Sequence, residues 1–283
     1  MNRRSFLKKA LASTLGLLGL SGGTYYYARE IEPSMLTIHK ETLSSNKIPT
    51  QLDDLTILQF SDTHVGFHYS LEQLEELVYE INAQSPDIVV FTGDLVDMPN
   101  EFPWGNGIIE ILNKIKAPMG KYWIYGNHDH GGYGTETLLE TMEAGGFSLL
   151  QNSHVEIEKQ GAAFTLAGLD DLMLGKPDLE EALKNADPDN YTMLLVHEPD
   201  YADNTINYQV DCQLSGHSHG GQIQIPLIGY IYTPKFAEKY VEGKYLIDEK
   251  LELFVSRGVG TTRLPYRFLC RPEITVFKME ASS

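Results

Sequence analysis

Five short apolar, β-branched runs in this chain each end on side chains able to bind a metal, and that repeated ending limits what the chain can fold into. LTILQF (55–60) stops at Ser61-Asp62-Thr63-His64, DIVVF (87–91) at Thr92-Gly93-Asp94, and KYWIY (121–125) at Gly126-Asn127-His128-Asp129. YTMLLV (191–196) stops at His197-Glu198-Pro199, and QVDCQL (209–214) runs into Ser215-Gly216-His217-Ser218-His219. Helix-like stretches separate the runs, so the pattern is that of an α/β fold, which binds ligands at the C-terminal edge of its strands. The clearest helix is 71–84, with Leu71, Leu74, Leu77, Val78 and Ile81 on one face and Ser70 with Gln73 as a capping box. Others are expected at 108–116, 135–144 and 179–185. No repeat or linker divides the site-like residues, which predicts one catalytic domain over 50–280.

Asp62 and His64 stand at i and i+2, a spacing that in extended backbone projects a carboxylate and an imidazole to one side, where they can meet one cation. Gly93 permits a tight turn that delivers Asp94. Asn127, His128 and Asp129 follow an aromatic strand in succession, His197 closes the next, and His217 and His219 repeat the i, i+2 spacing. Each piece alone is common in a turn or core, whereas five in order at one sheet edge are not. A net charge of −17 argues against nucleic acid as a partner. Cys212 and Cys270 leave open one disulfide or two separate buried thiols.

Asp62-x-His64-x-Gly66, Gly93-Asp94-x-x-Asp97, Gly126-Asn127-His128-Asp129, His197 and Gly216-His217-x-His219 together resemble the five ordered motifs of the calcineurin-like metallophosphoesterases. The resemblance covers most of the chain after residue 50. It implies a four-layer αββα sandwich, with two mixed β-sheets and a dinuclear metal centre at the strand ends. It also implies one ion on Asp62, His64 and His219, a second on Asn127, His197 and His217, and Asp94 bridging both. Two divalent ions about 3.5–4 Å apart need such a shared anion. Oxygen and nitrogen ligands without thiolate suit Mn²⁺, Fe²⁺ or Zn²⁺ better than Ca²⁺, with manganese favoured. The expected enzyme is a phosphoric ester hydrolase in which a hydroxide between the metals attacks phosphorus in line. His128 is then left free to act as the catalytic group on the leaving oxygen, with Asp129 as its orienting partner and Asp97 behind the ligands.

GDLVDMPN and GNHD depart from the protein Ser/Thr phosphatases, Asp97 stands where purple acid phosphatases carry a tyrosine, and His128 stands where the soluble lipid-A pathway hydrolase has arginine. GHSHGGQIQIP (216–226) and SRGVGTTRLPYRFLCRPEIT (256–275) resemble the YkuE/YaeI-like branch of exported or membrane-associated bacterial phosphodiesterases. That likeness implies a phosphodiester or pyrophosphate of the cell envelope, lipid-linked forms included. A broad-specificity phosphomonoesterase or nucleotidase and a non-catalytic metal-binding scaffold are the competing readings. After Arg29 the only arginines are Arg257, Arg263, Arg267 and Arg271. Guanidinium forks suit phosphate, so Arg257 and Arg263 are the first candidates for substrate contact; pairing with surface carboxylates is the alternative.

Residues 1–28 carry Arg3, Arg4, Lys8 and Lys9, no acid, and an uncharged run over 10–28. The layout resembles a twin-arginine (Tat) signal, which implies the Tat machinery as a partner and an exported protein. Cleavage of this leader and its retention as a membrane tether, with Tyr25, Tyr26 and Tyr27 at the headgroup level, both stay open.

Overall fold

The computed structural model describes residue 14, residues 20–130 and residues 135–282. One mixed sheet holds β1 (Thr37–Ser45), β2 (Thr56–Phe60), β3 (Ile88–Phe91), β4 (Lys121–Trp123), β5 (Ser148–Leu149) and the last strand, β14 (Glu273–Ala281), in the order β1-β14-β2-β3-β4-β5. The other holds β6 (Ser153–Lys159), β7 (Ala162–Gly168), β8 (Thr192–Leu195), β9 (Cys212–Ser215), β12 (Gly243–Ile247) and β13 (Leu251–Val255), in the order β12-β13-β9-β8-β7-β6. A small hairpin, β10 (Gln224–Ile225) with β11 (Gly229–Tyr230), stands apart from both.

The strands read as continuous apolar runs because both faces of each sheet are covered. Ile57, Ile88, Val90, Met193, Leu195, Cys212 and Leu214 meet between the sheets. Their alternating neighbours Leu58, Phe60, Val89 and Phe91 face helices α1 (Leu71–Ala83), α2 (Asn106–Leu112) and α3 (Thr135–Ala144). Leu194 and Val196 face the short helices α4 (Leu179–Ala182) and α5 (Ala202–Thr205). The result is the four-layer αββα sandwich. α1 starts at its capping box, the Ser70 side chain accepting from Gln73 N and the Gln73 side chain from Ser70 N.

β2, β3 and β4 run parallel in one sheet, and β7, β8, β9 and β13 run parallel in the other, so their C-terminal ends converge. Gln59 ties the two sheets there, its side-chain amide donating to Ser215 O at 3.0 Å and to Thr92 Oγ1 at 3.0 Å.

The first sheet also draws on residues before 50. β1 pairs with β14 over nine residues, and Glu32 is buried where it accepts from Cys270 N. β1 alternates too weakly to be read from sequence; its partner lies at the other end of the chain. Cys212 and Cys270 are separate buried thiols. The twin-arginine pattern at Arg3 and Arg4 lies outside the described residues, and among the described residues no helix is long and apolar enough to cross a membrane.

Candidate metal centre

The strands stop short of the ligands, and left-handed backbone delivers them. Asp62, His64, Asp94, His217 and His219 have φ of 55°, 45°, 65°, 66° and 50°. Non-glycine residues adopt such angles at a cost of about 1–3 kcal/mol each, a strain that collects at functional sites. The expectation that extended backbone sets Asp62 beside His64 is therefore corrected: both follow the end of β2 and reach inward through separate left-handed kinks. The same kinks part His217 from His219.

Two clusters result. Asp62, His64 and His219 form one, and Asp94, His197 and His217 the other; a third grouping, Asp97 and His128 with His64, flanks the first through the His64 ring. Asp94 Oδ2 joins them, 3.5 Å from His64 Nε2 and 3.3 Å from His197 Nε2. In the first cluster His64 Nε2 lies 3.1 Å from His219 Nε2, which in turn lies 3.4 Å from Asp62 Oδ1. Asn127 Oδ1, also at the cleft, is buried without a hydrogen-bond partner, and His197 Nε2 is buried with the Asp94 carboxylate beside it. Two ring nitrogens face to face and orphaned donor atoms are costly unless something electrophilic sits among them. Oxygen and imidazole lone pairs aimed at common points fit divalent cations.

The outer nitrogens are anchored, which aims the inner ones. His64 Nδ1 lies 3.0 Å from Asp97 Oδ1, His197 Nδ1 lies 2.6 Å from Thr92 O, and His217 Nε2 lies 2.9 Å from Lys235 O. The Asp62 carboxylate accepts from His217 N at 3.1 Å. Space is as tight as the bonding. A Cβ on Gly216 would fall 2.4 Å from Asp62 Oδ2, and one on Gly126 would fall 2.3 Å from Asp94 Oδ1.

Charge follows burial. Burial alone would raise Asp94, but His197 and His128 beside it hold it well below the usual carboxylate range. His197 is the counterpart: burial opposes its charge, yet Asp94 pushes it well above the ordinary imidazole value. Burial, reinforced by His197, holds His217 at about 3, and burial with His64 nearby pushes His219 far down. His217 and His219 are thus neutral imidazoles, the form that binds a cation.

His128 lines the cleft with its Nδ1 2.7 Å from Asp97 O. Asp129 does not serve it as orienting partner. Its carboxylate instead accepts Asp94 N (2.7 Å), Leu95 N (3.0 Å) and Gly126 N (2.9 Å), pinning the β3 and β4 loops together. Of the arginines, Arg257 is taken up by Glu242 at 2.6 Å and Glu273 at 3.5 Å and does not line the cleft. Arg263 does line it, with its guanidinium 4.9 Å from the Tyr232 ring centre. Arg267 is wholly buried and donates to the carbonyls of Arg257, Gly258, Gly260 and Cys270, a structural cation that no local sequence signal distinguishes from its neighbours. No local sequence signal shows that the Cys270 thiol donates to His219 O at 3.2 Å, or that the Gln222 side chain bonds to Thr262 N and Leu264 O.

The cleft itself has a volume of about 480 Å³. Its lining includes His64, Asp94, Asn127, His128, His217 and His219 together with the apolar Met173, Ile223, Ile231, Tyr232 and Leu264.

Two carboxylate–imidazole clusters sharing one aspartate, at the joined strand ends of an αββα sandwich, define the class as a metallohydrolase. The chain belongs to the calcineurin-like phosphoesterase family, whose profile matches residues 55–221, and is accordingly a metal-dependent phosphoesterase. It is similar to the uncharacterized metallophosphoesterase YkuE of Bacillus subtilis, 44% identical over 284 residues that span 100% of this chain and 99% of the relative. An uncharacterized metallophosphoesterase of Aquifex aeolicus is 32% identical over 260 residues, 87% of this chain and 92% of that one. Among solved structures, a dimetal phosphatase from Danio rerio aligns at 12% identity and a TM-score of 0.47, over 80% of this chain and 99% of that chain.

Proposed function

We propose that this phosphoesterase is exported and cleaves a phosphodiester or pyrophosphate of the cell envelope, one carrying an apolar, lipid-like group. The observation that carries the reading is one cleft lined both by the metal-ligand candidates and by apolar side chains, with the exposed Arg263 in its lining. A phosphate seated at the clusters sends its substituent along Ile231, Tyr232 and Leu264. Export is supported by the twin-arginine layout of residues 1–28.

Asp62, His64 and His219 would hold one divalent ion and Asn127, His197 and His217 another, with Asp94 shared. Manganese is preferred. When bound, the ions supply Lewis-acid polarisation of the phosphoryl oxygens and lower the pKa of water. The chain's own groups do the rest. Burial lowers the His128 pKa, but Asp94 and the contact with Asp97 O outweigh it, so the ring gains a proton more readily than a free imidazole. Its Nδ1 is committed to Asp97 O, leaving Nε2 to donate to the departing oxygen. Arg263 lines the cleft free of carboxylate partners among the described residues, which supports a role in forking onto a phosphate or a second phosphoryl group.

Paired chromogenic phosphomonoesters and diesters, with Mn²⁺ and with chelator, test the reading, with Asp94→Ala as control. Metal-dependent diester cleavage lost in Asp94→Ala supports it. Cleavage of the monoester alone favours a monoesterase or nucleotidase, and inactivity with two ions bound favours a scaffold. Envelope extracts with mass detection of products then identify the substrate.

A further inference from the structure

Beside the cleft mouth the chain spends apolar side chains where the core gains nothing from them. The β10–β11 hairpin turns through Pro226, Leu227 and Ile228, closed by Ile228 N donating to Ile225 O at 3.0 Å. Leu227 is fully exposed, at 108% of its reference area, and Ile228 is 74% exposed. Leu227 also sits at φ 72°, in a turn position where glycine is unstrained. A leucine held in strained backbone and in water gains nothing from the packing of this chain.

The hairpin is continuous with two further apolar segments. Gln224 N donates to Phe268 O at 2.8 Å and Phe268 N to Gln222 O at 3.0 Å, which joins the hairpin to the loop that exposes Leu264 and Leu269. That loop in turn seats the helical residues 20–26: Tyr25 lies 5.6 Å from Tyr266, Tyr27 lies 6.3 Å from Phe268, and Arg267 N donates to Ala28 O at 2.9 Å. The helical stretch is the end of the uncharged run 10–28.

Charge singles out the same face. In a chain of net charge −17, residues 20–28, 212–237 and 253–272 contain no aspartate or glutamate. Lys235 and Arg263 are exposed there. Glu242 is partnered by Gln224 and Arg257 and Glu30 by Arg29, so an apolar, aromatic surface with Lys235 and Arg263 exposed is complementary to anionic lipid.

We propose that this face docks on an anionic lipid bilayer, with Leu227 and Ile228 entering the acyl region and the cleft opening at the interface. The proposal rests on the envelope reading above for its setting and deepens it: the substrate reaches the clusters from the membrane plane, headgroup first.

The test uses the full chain with Ile228→Cys carrying an environment-sensitive fluorophore, selective because Cys212 and Cys270 are buried. Phosphatidylcholine vesicles containing phosphatidylglycerol should shift the emission to the blue, raise it several-fold and make it quenchable by spin-labelled lipid; omitting phosphatidylglycerol should weaken the response. The same label at Gln160→Cys, on the turn between β6 and β7 at the opposite end of the strands, should not respond. Vesicle binding with both labels silent assigns attachment to residues 1–28 alone and overturns the proposal. A lipid-free shift that grows with protein concentration gives the face to a second copy and also overturns it. As a second variant, Leu227→Ser with Ile228→Ser should keep turnover of a soluble chromogenic diester and lose vesicle binding several-fold; unchanged vesicle binding refutes docking. Absence of diester turnover in the native chain with the fluorescence response intact removes the functional reading and leaves docking standing.

Discussion

Asp94 Oδ2 lies 3.3 Å from His197 Nε2, and both side chains are buried, so each sets the other's proton. Asp94 is held ionised, and His197 is held well above its ordinary value of 6.5, in the chain's own electrostatics. A cation can use the His197 lone pair only after that proton leaves.

Metal binding near neutral pH therefore releases about one proton from His197, and apparent affinity rises with pH until the free protein has lost it. Titration calorimetry in buffers of different ionisation enthalpy measures the release. His197→Gln should abolish it and weaken binding. Affinity independent of pH between 6 and 8 would contradict the charge state assigned to the pair.

His128 touches the clusters only at their edge, its ring centre 4.5 Å from that of His64. His128→Ala should keep the full metal count and lose roughly 10²–10⁴ in turnover. Elemental analysis beside steady-state rates separates this role from that of a ligand. Loss of an ion would move His128 into the metal set.

The left-handed turn at His217 sends that ring toward His197, with centres 4.9 Å apart, while His219 stacks 4.9 Å from His64. His217→Ala and His219→Ala should each lower metal occupancy by about one ion, and not the same one. Spectroscopy on a cobalt-substituted protein distinguishes the two vacancies; identical spectra would return the pair to a simple clamp on one ion.

Asp170 and His130 meet at 2.6 Å, and Asp170 also accepts from Asp171 N and Lys176 N, shaping the loop that carries Met173. Burial works against the His130 charge, but Asp170 raises its pKa above 6.5; that stabilisation is full below 6.5 and fades as pH rises through the raised value. Burial works against the Asp170 charge too, yet His130 and the Lys176 amide hold it at about 2; its contribution is full above 3.8 and fades toward pH 2. Asp170→Asn should therefore cost most between about pH 4 and 6.5, roughly 1 kcal/mol after solvent screening, and less at pH 9. Thermal unfolding at pH 5 and pH 9 gives the comparison. An equal loss at both would mean that only the amide contacts matter.

The residues of the centre were legible in the sequence because each stands where an apolar run ends, and run, turn and side-chain type are all local properties. The α/β class, the α1 capping box and the five motif positions follow from that local pattern. What tertiary structure decided is who faces whom. His64 and His219 are 155 residues apart and meet only because β2 and β9 belong to different sheets joined at their ends. The left-handed angles at Asp62, His64, His217 and His219 are unfavourable locally and are held by packing around them, so extended-backbone reasoning could not supply them. Chain-distant partners likewise sorted the arginines. Glu242 and Glu273 claim Arg257, four carbonyls enclose Arg267, and Arg263 is left at the cleft. Residue type says that a guanidinium can bind phosphate; only the fold determines which one stands at the cleft without a carboxylate partner.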